Sequence, residues 1–182
     1  MSRVADLVFS HVVEGLFRAV GPLDIAAKAR FRELGVDPDQ KFAPAYPIEQ
    51  YVELQRVAVA LLAPGRPFDE GIELLGRRFV DGYGETLVGS ALLVGLRLLG
   101  PTRALDRLSR TMATGSTFFE TRLTQPEAGL WHLWVNRVVF PGWFVGLLRR
   151  GLEHAGARDI SVDVVSHEGE ALALTLAIRF RA

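Results

Sequence analysis

No cysteine occurs in the 182 residues, which excludes disulfides, thiolate zinc sites, iron–sulfur clusters and cysteine nucleophiles together. Lysine is nearly missing as well, at Lys28 and Lys41 only, and Asn136 is the single asparagine. Arginine carries the positive charge instead. That bias looks like a GC-rich genome, so the arginine count alone does not indicate anion binding. Neither sign of charge is in excess, the formal net charge being zero. Nucleic acid is therefore not expected as a partner, because binding its backbone needs a surplus of Lys and Arg. Nor is any apolar run long enough for a bilayer. The most apolar stretch, Thr86 to Leu99, spans roughly 21 Å as a helix, whereas a crossing needs about 20 residues. The shorter run Leu7 to Val13 is broken by Ser10 and His11 and flanked by Asp6 and Glu14. It has no cationic leader or small-residue cleavage site, so no secretory signal is read there. A cytoplasmic protein, not an integral membrane one, is expected.

What is present is apolar content: 49% of the residues are hydrophobic, enough at this length for one core without staples. No linker or low-complexity segment divides the chain, so a single α+β domain over 1–182 is expected, helical to about 115 and sheet-forming from 116. The segment VEGLFRAV ends at Gly21-Pro22. Asp24 is placed to cap a first helix reaching Leu34, with Gly35 just past its end. The three-proline stretch VDPDQKFAPAYP reads as an extended loop. A second helix is expected over 48–62, a third capped by Asp69 and reaching Gly82, a fourth buried one over 85–99, and a fifth from Pro101 to about Gly115. Strands follow at 117–124 and 130–138, a helix at 142–155, and strands at 159–167 and 170–180. These five helices and a ββαββ unit predict a four-stranded, largely antiparallel sheet covered by one helix.

Alternation assigns the strand faces. Leu172, Leu174, Leu176, Ile178 and Phe180 share one face of the last strand, and Phe144, Leu147, Leu148 and Leu152 of the covering helix are expected to meet it. Strand 130–138 has large groups on both faces: Trp131, Leu133 and Val135 on one, Leu130, His132, Trp134 and Asn136 on the other. A sheet buried on one face does not need that surplus. It predicts a ligand, a partner or a second layer.

Few constellations carry chemistry. Gly82, Gly84 and Gly89 fit neither the phosphate loop, which needs Lys-Ser/Thr, nor the dinucleotide fingerprint, whose third glycine position holds Leu87. They read as a tight turn at 82–84, with Gly89 and Gly95 letting helices approach closely. His11, His132, His154 and His167 lie in four separate elements, without the spacing of a zinc or iron site. His154 and His167 read as solvated; His132, between two tryptophans, is the one of interest. Arg103, Arg107 and Arg110 share one face of the fifth helix and are either an anion site or a solvated face with Asp106 as partner. No nucleophile elbow or acid–base pair is found, so no catalytic residue, metal or enzymatic activity is expected.

Four phrases, FAPAYPIEQYVELQRVA, LGRRFVDGYGETLVGSALL, LGPTRALDRLSRTMATG and FPGWFVGLLRRGLEHAGA, resemble an uncharacterised myxobacterial protein family of about this length. The order of helices followed by ββαββ, with Pro-Gly-aromatic before the sheet helix, is similar to a wider superfamily. It includes vinyl-reductase-type ligand-binding domains, heme-dependent nitric-oxide sensors and TRAPP trafficking subunits. This resemblance implies a hydrophobic cavity between helices and sheet, ligand-linked regulation and frequent dimers. The sensors use a histidine on the helix before the sheet and a Tyr-x-Ser-x-Arg motif. Here the fifth helix has no histidine, and none of Tyr46, Tyr51 or Tyr83 begins that motif. No cofactor is therefore expected, neither heme nor zinc; were heme to bind, His132 would be its axial ligand. The expected function is a non-enzymatic regulatory or sensory domain holding a small apolar or acyl ligand, with Phe118, His132, Trp134 and Trp143 at the site. The alternative is a ligand-free dimerisation or protein-interaction scaffold.

Overall fold

The computed structural model describes residues 6–168 and 172–182, without the side chains of Val88 and Ala113. A short strand β1 (Leu7–Phe9) leads into helices α1 (Ser10–Val20) and α2 (Ile25–Glu33). Strand β2 (Ala45–Pro47) then precedes α3 (Ile48–Leu62), α4 (Phe68–Gly84), α5 (Leu87–Leu99) and α6 (Pro101–Ala113). The remainder is β3 (Thr121–Glu127), β4 (Leu130–Val135), α7 (Pro141–His154), β5 (Arg158–Glu168) and β6 (Ala173–Arg181). The expected α+β architecture is present, with a four-stranded antiparallel sheet of order β3-β4-β6-β5 after the helices.

Local chemistry accounts for most helix ends. The Asp24 side chain accepts a hydrogen bond from the Ala27 backbone N–H at 2.7 Å, capping α2, and Gly35 takes the left-handed backbone (φ +78°) past its end. Thr86 caps α5 by accepting from Gly89 N–H at 3.0 Å, and Pro101 opens α6.

Several expectations are corrected. Helix α1 and the antiparallel pair β1–β2 were not anticipated. Asp69 lies within the first turn of α4, whose N-cap is Pro67. Gly82 and Gly84 do not form a turn. The helix continues through both, and a Cβ on Gly82 would stand 2.7 Å from the Ala19 backbone nitrogen of α1. Gly89 does allow close approach, to the Tyr83 carbonyl, whereas nothing lies near Gly95. Strand β3 begins at Thr121 instead of 117, because the Ser116 hydroxyl accepts from Phe119 N–H at 3.0 Å and turns the chain there. The start expected for the last strand, residues 170 and 171, lies outside the described residues. Helix α5 is buried on one side only: Leu96 is fully buried, whereas Leu87 is 90% and Leu98 84% exposed.

The core sits between the sheet's inner face and the helices. Leu133 and Val135 of β4 stand opposite Leu176 and Leu174 of β6, all four buried. Helix α7 buries Phe144, Leu148 and Leu152 in the same core. Its other side meets α4 at very close range. A Cβ on Gly146 would come 2.0 Å from the Glu73 carbonyl oxygen, and one on Gly76 would come 2.2 Å from that of Trp143. Flanking this seam, Arg149 pairs with Glu73 at 2.6 Å, Arg77 with Glu153 at 2.7 Å and Arg150 with Asp81 at 2.9 Å.

Candidate functional site

The α4–α7 seam supports one wall of a partly open cavity of about 120 Å³. Its lining comes from β1, α1, α3, α4, α5, α6 and the first turns of α7, together with Phe119 and the segment before α7. None of the lining residues lies on the strands of the four-stranded sheet. The cavity is therefore walled mainly by helices, is partly open, and takes no side chain from the strands of that sheet.

Aromatic rings run along its wall. Tyr51 meets Trp143 edge-on at 6.5 Å, Trp143 meets Phe79 at 4.8 Å, Phe79 stacks on Tyr83 at 5.5 Å, and Tyr83 lies 6.0 Å from His11. Such contacts fix the rings beyond what area burial alone does. His11 and Tyr83 are also where the cavity borders an outer pocket of about 600 Å³, which shares His11, Tyr83, Leu92 and Thr111 with it. Arg107 and Arg110 lie on the rim of that outer pocket.

Polar groups in the cavity wall are few. Tyr51 is 5% exposed and its hydroxyl has no hydrogen-bond partner. Burial pushes its pKa up, so it stays protonated. Gln55, one turn further along α3, is 4% exposed and lines the same space. Burial also lowers the pKa of His11, against the attraction of Glu14, which favours the neutral imidazole. Arg137 reaches the wall but is ion-paired with Asp6. The Thr111 hydroxyl donates to the Arg107 carbonyl at 2.9 Å.

Of the residues singled out in the sequence, Trp143 lines the cavity and is buried. Phe118 does not line it; its neighbour Phe119 does. His132 and Trp134 project from the opposite face of the sheet, in register with Ala177 and Thr175 of β6, and the Arg122 guanidinium lies 5.4 Å from the Trp134 ring centre. His132 lines neither the cavity nor the outer pocket, so neither supports an axial role for it. Trp131 and Trp134 are both half-buried, and Trp131 packs on the core. Leu147 lines the cavity instead of meeting the sheet alone. Arg103, Arg107 and Arg110 are all exposed; Arg110 pairs with Asp106 at 3.1 Å, and Arg103 is away from the outer pocket. Of the remaining histidines, His167 is exposed as expected and His154 is half-buried, and each has a hydrogen-bond partner. His154 Nε2 is 2.9 Å from Asp81, and His167 Nε2 donates to the Val138 carbonyl at 2.7 Å. Among the described residues no three His, Cys, Asp or Glu converge to hold a metal, and no helix is long and apolar enough to cross a membrane.

Sequence reasoning missed His11, Tyr51, Gln55 and Phe79. A signal for two of them was present: Tyr51 and Gln55 fall four residues apart on the otherwise apolar face of α3 that also carries Leu54 and Ala58.

The chain belongs to the DUF2378 family of proteins of unknown function, whose model matches residues 6–178. No curated protein sequence matches it. Its fold is shared with H-NOX domains. It is similar to an oxygen-binding H-NOX domain related to soluble guanylate cyclases, with a TM-score of 0.61 and 16% identity over 94% of this chain and 92% of that one. It is also similar to the Fe(II) unliganded H-NOX protein from K. algicida, with a TM-score of 0.65 and 11% identity over 94% and 95% of the two chains.

Proposed function

We propose that this protein is a non-enzymatic, ligand-binding sensory module whose ligand is a small apolar molecule held in the helix-walled cavity. The observation that carries this reading is the cavity itself: an apolar, aromatic-walled space among the helices, with the unpartnered Tyr51 hydroxyl in its wall. Natural cores close such spaces, because each void forfeits contacts and stability. One retained at the centre of several helices is suited to being filled. The H-NOX likeness supports it at the level of fold, since a domain of that shape binds oxygen in one neighbour.

The residues present do not fit a heme. The cavity volume is close to that of an engineered cavity of about 150 Å³ that takes benzene, and a porphyrin is several times larger than benzene. His11 supplies an imidazole at the rim, where Tyr83, Leu92 and Thr111 line the border between the cavity and the outer pocket. A single ring or a short acyl chain is the appropriate scale.

Mass spectrometry of the protein purified from its own host under native conditions tests the reading. The expected result is an adduct of small mass that is lost on denaturation and absent from Val52→Phe, which adds a ring to the cavity wall. Apo mass alone, in wild type and variant alike, contradicts it.

A second reading, self-association, is favoured by a different observation. Leu87, Ala91, Val94 and Leu98 form one exposed apolar face along α5. It replaces the two-faced strand β4 as the surface to examine, because the tryptophans of β4 are half-buried within the monomer.

A further inference from the structure

We propose that the cavity's ligand is a small uncharged molecule bearing one carbonyl oxygen, which accepts hydrogen bonds from the Tyr51 hydroxyl and the Gln55 amide. This rests on the reading of the cavity as a ligand site and adds the chemical class of what fills it.

Tyr51 and Gln55 are two unused donors on one face of α3; the Tyr83 hydroxyl and the Trp143 indole N–H, on α4 and α7, also line the cavity. Tyr51 is 5% exposed and its hydroxyl is unpartnered, while its ring is held edge-on against Trp143. Gln55 lies one helical turn away on the same face of α3, and its amide has no side-chain hydrogen bond among the described residues. A buried hydroxyl without a partner costs free energy that an incoming acceptor recovers. Burial keeps the phenol protonated, so it acts as a donor. A carbonyl oxygen has two lone pairs and accepts from both groups at once.

The other polar groups of the wall are engaged or neutral. Thr111 donates to a backbone carbonyl, Arg137 is neutralised by Asp6, and burial favours the uncharged form of His11. A carboxylate in this space would be desolvated with no free cation to meet it. The arginines on the rim of the outer pocket, Arg107 and Arg110, are outside the cavity lining. The site therefore selects a neutral head, and its volume of about 120 Å³ selects a molecule on the scale of one six-membered ring.

Cyclohexanone, benzene and cyclohexanecarboxylate, titrated calorimetrically into wild type and Tyr51→Phe, make the test. Tyr51→Phe is expected to weaken cyclohexanone about tenfold while leaving benzene within about twofold, because only the ketone loses a hydrogen bond. Cyclohexanecarboxylate is expected to bind weakest. In the wild-type complex the carbonyl stretch of cyclohexanone should fall below its value in an alkane solvent, a readout that needs no variant. Benzene binding with no Tyr51→Phe effect on cyclohexanone, an unshifted carbonyl stretch, or a preference for the carboxylate overturns the proposal and leaves the cavity reading standing. Failure of both benzene and cyclohexanone to bind overturns the cavity reading and this proposal together.

Discussion

Tyr51 and His11 are the residues whose burial has the plainest consequences. Replacing Tyr51 by Phe removes a buried hydroxyl that has no protein hydrogen-bond partner, so the protein without added ligand should gain stability of about 1 kcal/mol. Urea unfolding measures this, and a loss of similar size would show that the hydroxyl is already satisfied in solution. His11 sets a pH dependence. Its pKa is lowered from an ordinary 6.5, chiefly by burial, so the unfolded chain takes up the proton first as pH falls. Stability is then fully present above about pH 6.5 and declines below it, down through the lower folded value. His11→Gln should flatten that part of the curve. If wild type and variant lose stability in parallel between pH 7 and 5, the imidazole is not the group responsible. Neither residue stood out in the sequence, because a cavity is assembled from distant segments. His11 borders Tyr83 and Thr111, far away along the chain, and nothing in the local pattern around Ser10-His11-Val12 reports that meeting.

At the scale of elements, legibility followed how local the determining interactions are. Helix α2 was readable from Asp24 and Gly35, α6 from Pro101, and α7 from Pro141-Gly142 and Gly156, since caps and turn residues act within a few positions. Helix α1 was not, because its N-cap is Phe9 with no side-chain cap bond. Strands β1 and β2 have three residues each and exist only through each other. Glycines misled in α4, where Gly82 serves contact with α1 instead of ending the helix. The close contact of α4 with α7 was equally invisible, since Gly76 and Gly146 look alike on either helix until the two are docked. That seam makes a sharp prediction. Gly146→Ala places a Cβ against the Glu73 carbonyl, a backbone atom, so the helices must part at a cost of about 1–3 kcal/mol or more. Chemical denaturation reads the loss, and a change below about 0.5 kcal/mol would mean that the helices stand further apart than described. On the sheet side, Leu176→Ala should cost about 2–5 kcal/mol, as expected of a fully buried leucine. A neutral result would move Leu176 out of the core.

For the whole molecule, the exposed face of α5 and the cavity predict different behaviours. If Leu87, Val94 and Leu98 mediate self-association, light scattering should show a dimer that Leu98→Glu converts to a folded monomer. A wild-type monomer at every concentration removes that reading and leaves the cavity untouched. The cavity is the account's centre, and crystals pressurised with xenon probe it most directly, because xenon enters dry apolar spaces without needing any particular polar contact. The predicted result is a bound xenon between Tyr51, Phe79 and Trp143, with the helices unmoved. Crystals that admit xenon elsewhere but show none at that position would mean that the space is closed or filled with water, and would contradict the account.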